Sequence, residues 1–414
     1  AYGPFLGGIS GAVKPLKPST LPWKGSQVIP VARFVECFLN PGKTIDFNGR
    51  KVTYPEVKLV MWAGGNPFTH QPDTNKLARA WKKPDTVIVT DTVWTATARH
   101  ADIVLPAATV FEHNDITNIG TYSNDGLVAM QQAIKPQWES KPDYWIFSEL
   151  AKRMGCGKEF TEGLDEMGWI KRLYAESKAM GERIGVKLPE FDDFWKKGYV
   201  LYDVRAKDRN FVAFEDFRKD PKANALTTES GLIQLYSPKI AGYGYKDCLG
   251  YPSYIEPTEG VNTRTKETPL ALMACKSRYR MHSQLDGTMS HDFANIEKRE
   301  PCWINPVDAK ARGIANGDIV LVKNKRGAIL AGAYVTERIM PGVVVVHHGA
   351  WYDPQKTHEG WIDVHGNSNT LTMDEPTSNL ACGNIASTAL VEVTKWKGDL
   401  PRVSVYDAPE EVRS

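Results

Sequence analysis

The chain lacks the cysteine pairs that hold metals and redox disulfides. Its six cysteines are scattered, and no two of them are separated by two residues (Cys37, Cys156, Cys248, Cys275, Cys302 and Cys382). This spacing excludes zinc, iron–sulfur and thioredoxin-type sites. It does not predict a disulfide framework either, so the cysteines leave both a cytosolic and a periplasmic location open.

Long apolar runs and a strong net charge are absent as well. No stretch approaches the length of a transmembrane helix, and the opening residues AYGPFLGGISGAVKP do not form a secretory signal. Lysine plus arginine (51) nearly balances aspartate plus glutamate (49), which leaves a net charge of +2. We therefore expect no membrane span and no nucleic-acid partner, and an anionic ligand must be bound by a local cluster of cations. The chain opens without methionine, in turns of glycine and proline, which suggests a fragment or a processed product.

The motifs of several common enzyme classes are also missing. The sequence has no H-E-x-x-H, Walker, G-x-S-x-G, G-x-G-x-x-G or EF-hand motif. Glu112 and His113 are adjacent and could do acid–base work, but without a partner nucleophile a structural role is favoured. His347 and His348 end a run of valines, and neighbours in a strand point to opposite faces, so they do not share one metal.

What the sequence does contain is a strand–helix–strand pattern followed by many short strands. VKLVMWAGG, DTVIVTD and DIVLPAA are predicted strands separated by short helices, which indicates an α/β fold with a doubly wound parallel sheet. PLALMAC, DIVLVKNKRGAILAGAYVTE and GVVVVHHGAW predict a closed β-barrel, with NKRG as a hairpin turn. A length of 414 residues suits two or three domains. We expect an extended segment packing on another domain (1–55), an α/β domain (56–155), a helical and irregular connecting region (156–265) and a C-terminal β-barrel domain (266–414).

Polar residues follow the first two predicted strands of the α/β domain. Gly65 and Asn66 come directly after the first strand, and Thr90 and Asp91 end the second. Ligands of open α/β sheets lie at the carboxyl ends of the strands. Glycine lets the backbone approach a ligand, Asn66 offers a donor and an acceptor, and Asp91 could accept from a ribose hydroxyl or a guanine edge. The alternative is a plain turn, with Asp91 as a helix N-cap.

The stretch KSRYRMHSQ, residues 276–284, is the strongest local signal. In an extended segment Lys276, Arg278 and Arg280 would share one face and could bind phosphate. The Ser, His and Gln that follow suit a heteroaromatic ring with carbonyl and amine edges. A solvated basic edge strand is the alternative interpretation.

Together these stretches resemble one family. WAGGNPFTHQPDTN, IVTDTVWTATARHADIVLPAATVFE, YRMHSQLDG, INPVDAKARGIANGDIVLV, MPGVVVVHHGAWYDP and GNSNTLT look like the C-terminal half of the molybdopterin oxidoreductases of the dimethyl sulfoxide reductase family. HHGAWYDP and HGNSNTLT look most like the trimethylamine N-oxide and dimethyl sulfoxide reductase branch. The resemblance implies that the α/β domain at 56–155 binds a guanosine and that the barrel at 266–414 is a cofactor-binding domain of the double-psi type.

The resemblance also implies a cofactor, bis(molybdopterin guanine dinucleotide) molybdenum. Carried over residue by residue, its binding positions are Gly65, Asn66, His70, Thr90, Asp91, His113, Asp143, Lys276, Arg278, Met281, His282, Ser283, Gln284, His348, Asn369 and Asn384. In this family the serine that binds molybdenum, the substrate-facing aromatics and the export signal lie in the N-terminal half. We therefore assign no catalytic residue and no metal ligand here.

The implied reaction is two-electron oxygen-atom transfer from trimethylamine N-oxide or dimethyl sulfoxide, in periplasmic anaerobic respiration. The implied partners are the N-terminal half of the enzyme and a c-type cytochrome. Alternatives within the fold are a biotin or methionine sulfoxide reductase, a formate dehydrogenase and a nitrate reductase. A non-catalytic nucleotide-binding module is the alternative from another class.

Overall fold

The computed structural model describes residues 28–119, 126–203, 212–385 and 388–409. They fall into two compact units. The larger unit comprises residues 28–104 together with those from 235 onward, and the smaller unit comprises residues 105–234. No helix in these described ranges is both long enough and apolar enough to cross a membrane.

Strands occur in both units and are short. In chain order they are β1 (Thr44–Phe47), β2 (Arg50–Thr53), β3 (Leu59–Ala63), β4 (Thr86–Asp91), β5 (Ile103–Pro106), β6 (Asp115–Ile119), β7 (Gly126–Met130), β8 (Tyr199–Leu201), β9 (Leu270–Met273), β10 (Pro301–Ile304), β11 (Ile319–Asn324), β12 (Gly327–Val335), β13 (Val343–Val346), β14 (Pro354–Thr357), β15 (Gly360–Asp363) and β16 (Thr388–Lys395). The helices are α1 (Phe34–Leu39), α2 (Pro67–His70), α3 (Thr74–Ala80), α4 (Asp143–Arg153), α5 (Gly157–Thr161), α6 (Glu166–Arg183), α7 (Phe191–Lys197), α8 (Glu215–Lys219), α9 (Pro238–Ala241), α10 (Met289–Asp292) and α11 (Pro306–Ala311).

The first part of the larger unit contains the predicted parallel sheet. β3 and β4 pair in parallel from Leu59↔Thr86 to Ala63↔Thr90, so their carboxyl ends lie at the same edge. β5 follows β4 in this sheet, and the chain passes from the larger to the smaller unit within that strand. The Trp81 ring lies 5.7 Å from that of Trp62, and aromatic packing of this kind fixes the sheet against its helices.

The second part of the larger unit is a closed barrel. Within the described residues, β10, β13, β9, β16, β11 and β12 are neighbours in that order, and β12 returns to pair with β10. Fully buried aliphatic side chains fill the interior, including Leu272, Ile304, Val322, Ile329 and Val391. The predicted β11–β12 hairpin is also present, with Asn324 opposite Gly327. The mixed α/β class, with a parallel sheet and a closed barrel, is therefore confirmed.

The smaller unit combines helices with an antiparallel sheet of β6, β7 and β8. Helix α4 begins at Asp143. Helix α6 is capped by Asp165, whose carboxylate accepts a 2.7 Å bond from the Gly168 N–H, and it buries Ile170 and Tyr174 against the sheet. The β6–β7 pairing is absent from the sequence interpretation, which placed no strand in this stretch.

Candidate cofactor site

The glycine turn after β3 has the backbone that the sequence suggested. Gly64 and Gly65 have φ of +70° and +81°, a region that side chains with a Cβ rarely adopt. Asn66 is buried behind this turn, and its Oδ1 accepts bonds from the backbone N–H (3.2 Å) and the hydroxyl (2.6 Å) of Thr97. Its Nδ2 is buried and has no partner among the described residues. Asn66 is therefore held in a fixed orientation and keeps a donor.

Thr90 and Asp91 end β4 at the same edge. Thr90 is buried, and Asp91 is half-buried. The Asp91 carboxylate accepts from the backbone N–H of Thr92 at 2.8 Å and from the hydroxyl of Thr95 at 2.7 Å. These bonds cap the local turn, which is close to the alternative role considered for this residue. A ribose or guanine contact of Asp91 stays a prediction.

Within the part of the chain that the structure describes, further polar atoms without partners lie near this turn. Gln71 is fully buried, its Oε1 lies 3.4 Å from Nδ2 of Asn384, and its own Nε2 has no partner. Oδ1 of Asn384 and Nε1 of Trp62 are buried without partners too. A Cβ at Gly65 would lie 3.7 Å from that Trp62 nitrogen and 3.9 Å from Nε2 of His70. Unpaired buried groups of this kind are rare in native proteins, and a missing ligand is one physical reason for them.

Two histidines from the barrel form a directed pair beside this turn. Nδ1 of His348 lies 3.1 Å from the carbonyl oxygen of Ala274, and its Nε2 lies 3.3 Å from Nδ1 of His282. A carbonyl only accepts, so the proton of neutral His348 is on Nδ1 and its Nε2 accepts from His282. Neutral His282 then presents Nε2 as an acceptor. These two hydrogen bonds therefore fix the orientation of both imidazole rings.

Burial favours the neutral form of two histidines in this region, His348 and His70. Burial lowers the pKa of His348, and the positive charge of His282 in its protonated form lowers it further. Burial and His282 also lower the pKa of His70, which places His70 in the same cluster. Neutral imidazoles can each offer one donor and one acceptor. Such groups match the mixed edges of a pterin or a purine.

The basic stretch is only partly what the sequence suggested. The expectation that three cations share one face is wrong, because Lys276 and Arg278 are exposed whereas the Arg280 side chain is fully buried in ion pairs. The segment is also not extended: it bends after Ser277, and His282 has φ of +52°. Lys276 and Arg278 therefore remain as the cations available to a phosphate.

The rest of the stretch forms a tight turn. Met281 and Gln284 are exposed, and the backbone N–H of Gln284 donates to the Met281 carbonyl at 2.9 Å. The Ser283 carbonyl accepts from Nε1 of Trp351 at 2.8 Å. These contacts fix the backbone on either side of His282.

Asn369 has a different environment from the one a ligand-binding amide needs. Its Nδ2 donates to the Thr69 carbonyl at 2.8 Å, and its Oδ1 lies 3.2 Å from the hydroxyl of Thr372. Asn367 makes the parallel contact to the Phe68 carbonyl at 2.7 Å. Both amides thus hold helix α2, and with it the glycine turn, against the barrel. A cofactor contact of Asn369 stays a prediction.

The two remaining predicted residues belong to the smaller unit. Nδ1 of His113 lies 2.9 Å from the Thr109 carbonyl. Burial raises the pKa of Asp143, and nearby His113 opposes this rise, so the two side chains are neighbours. Glu112 is buried and accepts from the backbone N–H groups of Thr109 (2.6 Å) and Gln137 (2.7 Å), which supports its structural interpretation.

The larger unit therefore brings Gly65, Asn66, His70, His282 and His348 into one neighbourhood. The sequence interpretation missed Trp62 as a donor and did not select Gln71, although Gln71 stands in the polar run after the glycine turn. Amides, an indole and imidazoles suit heteroaromatic edges, and Lys276 and Arg278 suit phosphates. The residues present fit a dinucleotide cofactor that carries both groups.

Comparison with known families agrees with this chemistry. Residues 270–389 match the model of the Molydopterin dinucleotide binding domain, and residues 31–153 match that of the Molybdopterin oxidoreductase. The chain belongs to the molybdopterin oxidoreductases. Within them it is similar over 99% of its length to the dimethyl sulfoxide/trimethylamine N-oxide reductase of Cereibacter sphaeroides, at 47% identity.

Other relatives point the same way. The trimethylamine-N-oxide reductase of Haemophilus influenzae is 45% identical over 92% of this chain, and trimethylamine-N-oxide reductase 1 of Escherichia coli K12 is 44% identical over 99%. These matches confirm the expected bis(molybdopterin guanine dinucleotide) molybdenum cofactor. The chain spans about half the length of these curated relatives: 50%, 47% and 49%.

A solved structure shows the same fold. Acetylene hydratase from Pelobacter acetylenicus superposes with a TM-score of 0.63 at 20% identity, covering 83% of this chain and 45% of its own. At this identity the likeness supports the fold and says nothing about the reaction.

Proposed function

We propose that the chain is the cofactor-binding C-terminal part of a molybdenum N-oxide/S-oxide reductase. The whole enzyme would reduce trimethylamine N-oxide or dimethyl sulfoxide to the amine or sulfide, in the periplasm, with electrons from a c-type cytochrome. The observation that carries the proposal is the group of buried, unpartnered polar atoms on Asn66, Gln71 and Asn384, next to the His282–His348 pair. The similarity to reductases over nearly the whole chain supports the substrate class.

Each part of the cofactor would have its own residues. The glycine turn, Asn66 and the end of β4 would hold a guanosine, because their amide and carboxylate groups match a base edge and a ribose. Lys276 and Arg278 would bind the diphosphate, and the His282–His348 pair would face a pterin. When bound, the molybdenum centre supplies two-electron oxygen-atom transfer. The residues of this chain bind and orient the group, and they tune it through hydrogen bonds.

The remaining expectations extend this proposal. The barrel would be of the double-psi type, and the chain would follow the four-segment division at residues 55, 155 and 265. The metal ligand and the substrate-facing side chains would come from the part of the relatives that this chain does not span. We therefore propose that the N-terminal half is the first partner of this chain and that activity needs both.

The first test measures molybdenum and pterin content in the purified protein, with the intact mass of every polypeptide present. We expect stoichiometric molybdenum together with a second polypeptide region of similar size. A chain that binds GMP but never contains molybdenum would instead be a nucleotide-binding module and would overturn the proposal.

The second test removes one cation. Arg278→Ala should lower the retained molybdenum, because the variant loses a donor to the diphosphate or pterin. Lys310→Ala is the matched control, since Lys310 is an exposed cation on helix α11. Equal molybdenum content in Arg278→Ala and wild type would refute a binding role for Arg278.

A further inference from the structure

A cluster of charged side chains is buried directly behind the His282–His348 pair. The side chains of Arg280, Asp286, His291 and Glu300 are 0 to 1% exposed. One guanidinium nitrogen of Arg280, Nη1, lies 3.0 Å from Asp286 and 2.6 Å from Glu300, and Nε2 of His291 lies 3.0 Å from the same Glu300 oxygen. Of these four residues, the sequence suggested a ligand contact only for Arg280, as a phosphate-binding cation. Buried ion pairs are weak contributors to stability, so this cluster needs another physical reason.

The cluster contacts the backbone of the segments that carry His282 and His348. Nη2 of Arg280 donates to the carbonyl of His348 at 2.9 Å, and Arg280 itself lies two residues before His282. The two backbones are in close contact here: a Cβ at Gly349 would lie 1.9 Å from the His282 carbonyl oxygen. A single guanidinium therefore sets the spacing between the segments that carry the two imidazoles.

Asp286 joins the same two segments a second time, and Glu300 adds a contact beside His348. Asp286 accepts from the backbone N–H of Trp351 at 3.1 Å and from the hydroxyl of Tyr406 at 2.9 Å. Glu300 lies 3.2 Å from Nδ1 of His347. The pKa of Glu300 is well below its usual value: burial would raise it, but Arg280 and the histidine bonds lower it more strongly. The carboxylate thus stays charged and keeps its hold on Arg280.

We propose that Arg280, held by Asp286 and Glu300, is a positioning residue that fixes the His282–His348 pair and the proton on Nδ1 of each ring. The pair presents a defined acceptor, Nε2 of His282, to the cofactor only if the 3.3 Å contact between the two rings is kept. A lysine at position 280 preserves the charge but has no planar fork that can bind a carboxylate and a carbonyl together. This inference rests on the proposed function only in naming what the pair faces.

The experiment reads the tautomers of the nine histidines by ¹⁵N NMR in the full cofactor-free chain. Signals of the pair are assigned with His282→Gln and His348→Gln. In wild type we expect both rings to carry the proton on Nδ1. In Arg280→Lys both signals should move toward a mixture of tautomers.

Arg326→Lys is the matched control, because Arg326 also joins a carboxylate, that of Glu259, to a backbone carbonyl, that of Leu371. It should lower thermal stability without moving the two signals. If Arg280→Lys does not fold, Asp286→Asn tests the same inference, because it keeps the side-chain volume and removes the charge that holds Arg280. The same two NMR signals should then move. Unchanged tautomers in the variant that folds would overturn the inference.

A second readout uses cofactor-loaded protein. Arg280→Lys should lose its molybdenum about tenfold faster than Arg326→Lys, as is usual when an outer-shell partner is changed. Equal loss rates would overturn the link between Arg280 and the cofactor. Because the tautomers are measured without cofactor, the two proposals can fail separately. A wild-type protein that lacks molybdenum would refute the proposed function, and the NMR result would still test the role of Arg280.

Discussion

Gln71 offers a test in which stability and binding should change in opposite directions. The side chain is fully buried, its Nε2 has no partner, and its Oε1 makes one long contact of 3.4 Å to Asn384. An unsatisfied buried donor costs about 1–3 kcal/mol, whereas a neutral hydrogen bond contributes about 0.5–1.5 kcal/mol. The penalty on Nε2 therefore outweighs the long contact on Oε1.

Gln71→Met removes the amide and nearly keeps the side-chain length. Asn384 is only half-buried, and we expect water to satisfy the donor that the substitution leaves behind. We expect the free energy of unfolding of the cofactor-free chain to rise by about 1 kcal/mol. Cofactor affinity should fall by roughly three- to tenfold, which corresponds to one lost hydrogen bond.

Urea unfolding of chain produced without the pterin measures the first effect, and molybdenum retention measures the second. Asn369→Leu is the control, because both ends of that buried amide already have protein partners. It should destabilise the cofactor-free chain by about 1–3 kcal/mol. A Gln71→Met chain that is less stable than wild type would refute the reasoning from unpartnered atoms.

Three further predictions concern other buried groups. Glu259→Gln leaves the buried guanidinium of Arg326 without its charge partner and should lower the unfolding free energy by about 3 kcal/mol. The control is Lys325→Gln, at an exposed lysine 3.7 Å from the same carboxylate, which should change the unfolding free energy by under about 1 kcal/mol. Equal urea midpoints for the two variants would contradict this prediction. Burial raises the pKa of Asp363 to about 6 from 3.8, so between these values the folded chain holds a proton that the unfolded chain has released, and stability falls as pH rises. The melting temperature of wild type should therefore drop relative to Asp363→Asn across that window, and a pH-independent difference would show that the carboxyl does not titrate there. Burial raises the pKa of Cys302 to about 12. A thiol reagent at pH 8 should therefore modify the exposed Cys156 and leave Cys302 unmodified, which peptide mapping would show. Rapid labelling of Cys302 in the folded protein would contradict this prediction.

Local sequence was enough to predict the barrel strands and the parallel sheet, but not the bend in the segment at 276–284. Valine-rich runs predict the barrel strands because β-branched side chains fit a pleated surface, and the parallel pair β3–β4 follows from strand–helix–strand alternation. Gly64 and Gly65 mark the turn after β3 in the sequence, and their positive φ suits glycine because it has no Cβ to oppose it. The antiparallel β6–β7 pairing was missed, since β6 (DITNI) has no regular apolar alternation and each strand has only five residues.

Tertiary structure alone decided which polar groups face the cofactor and which hold the fold. Gln71 meets Asn384 across 313 residues, and no local pattern reports such a contact. Arg280 looks like a phosphate ligand in sequence, but a bend of the chain turns it inward to Asp286, where burial requires a partner for its charge. Asn369 satisfies its amide on Thr69 for the same reason. Sequence supplied the chemical groups, whereas long-range packing determined the direction of each one.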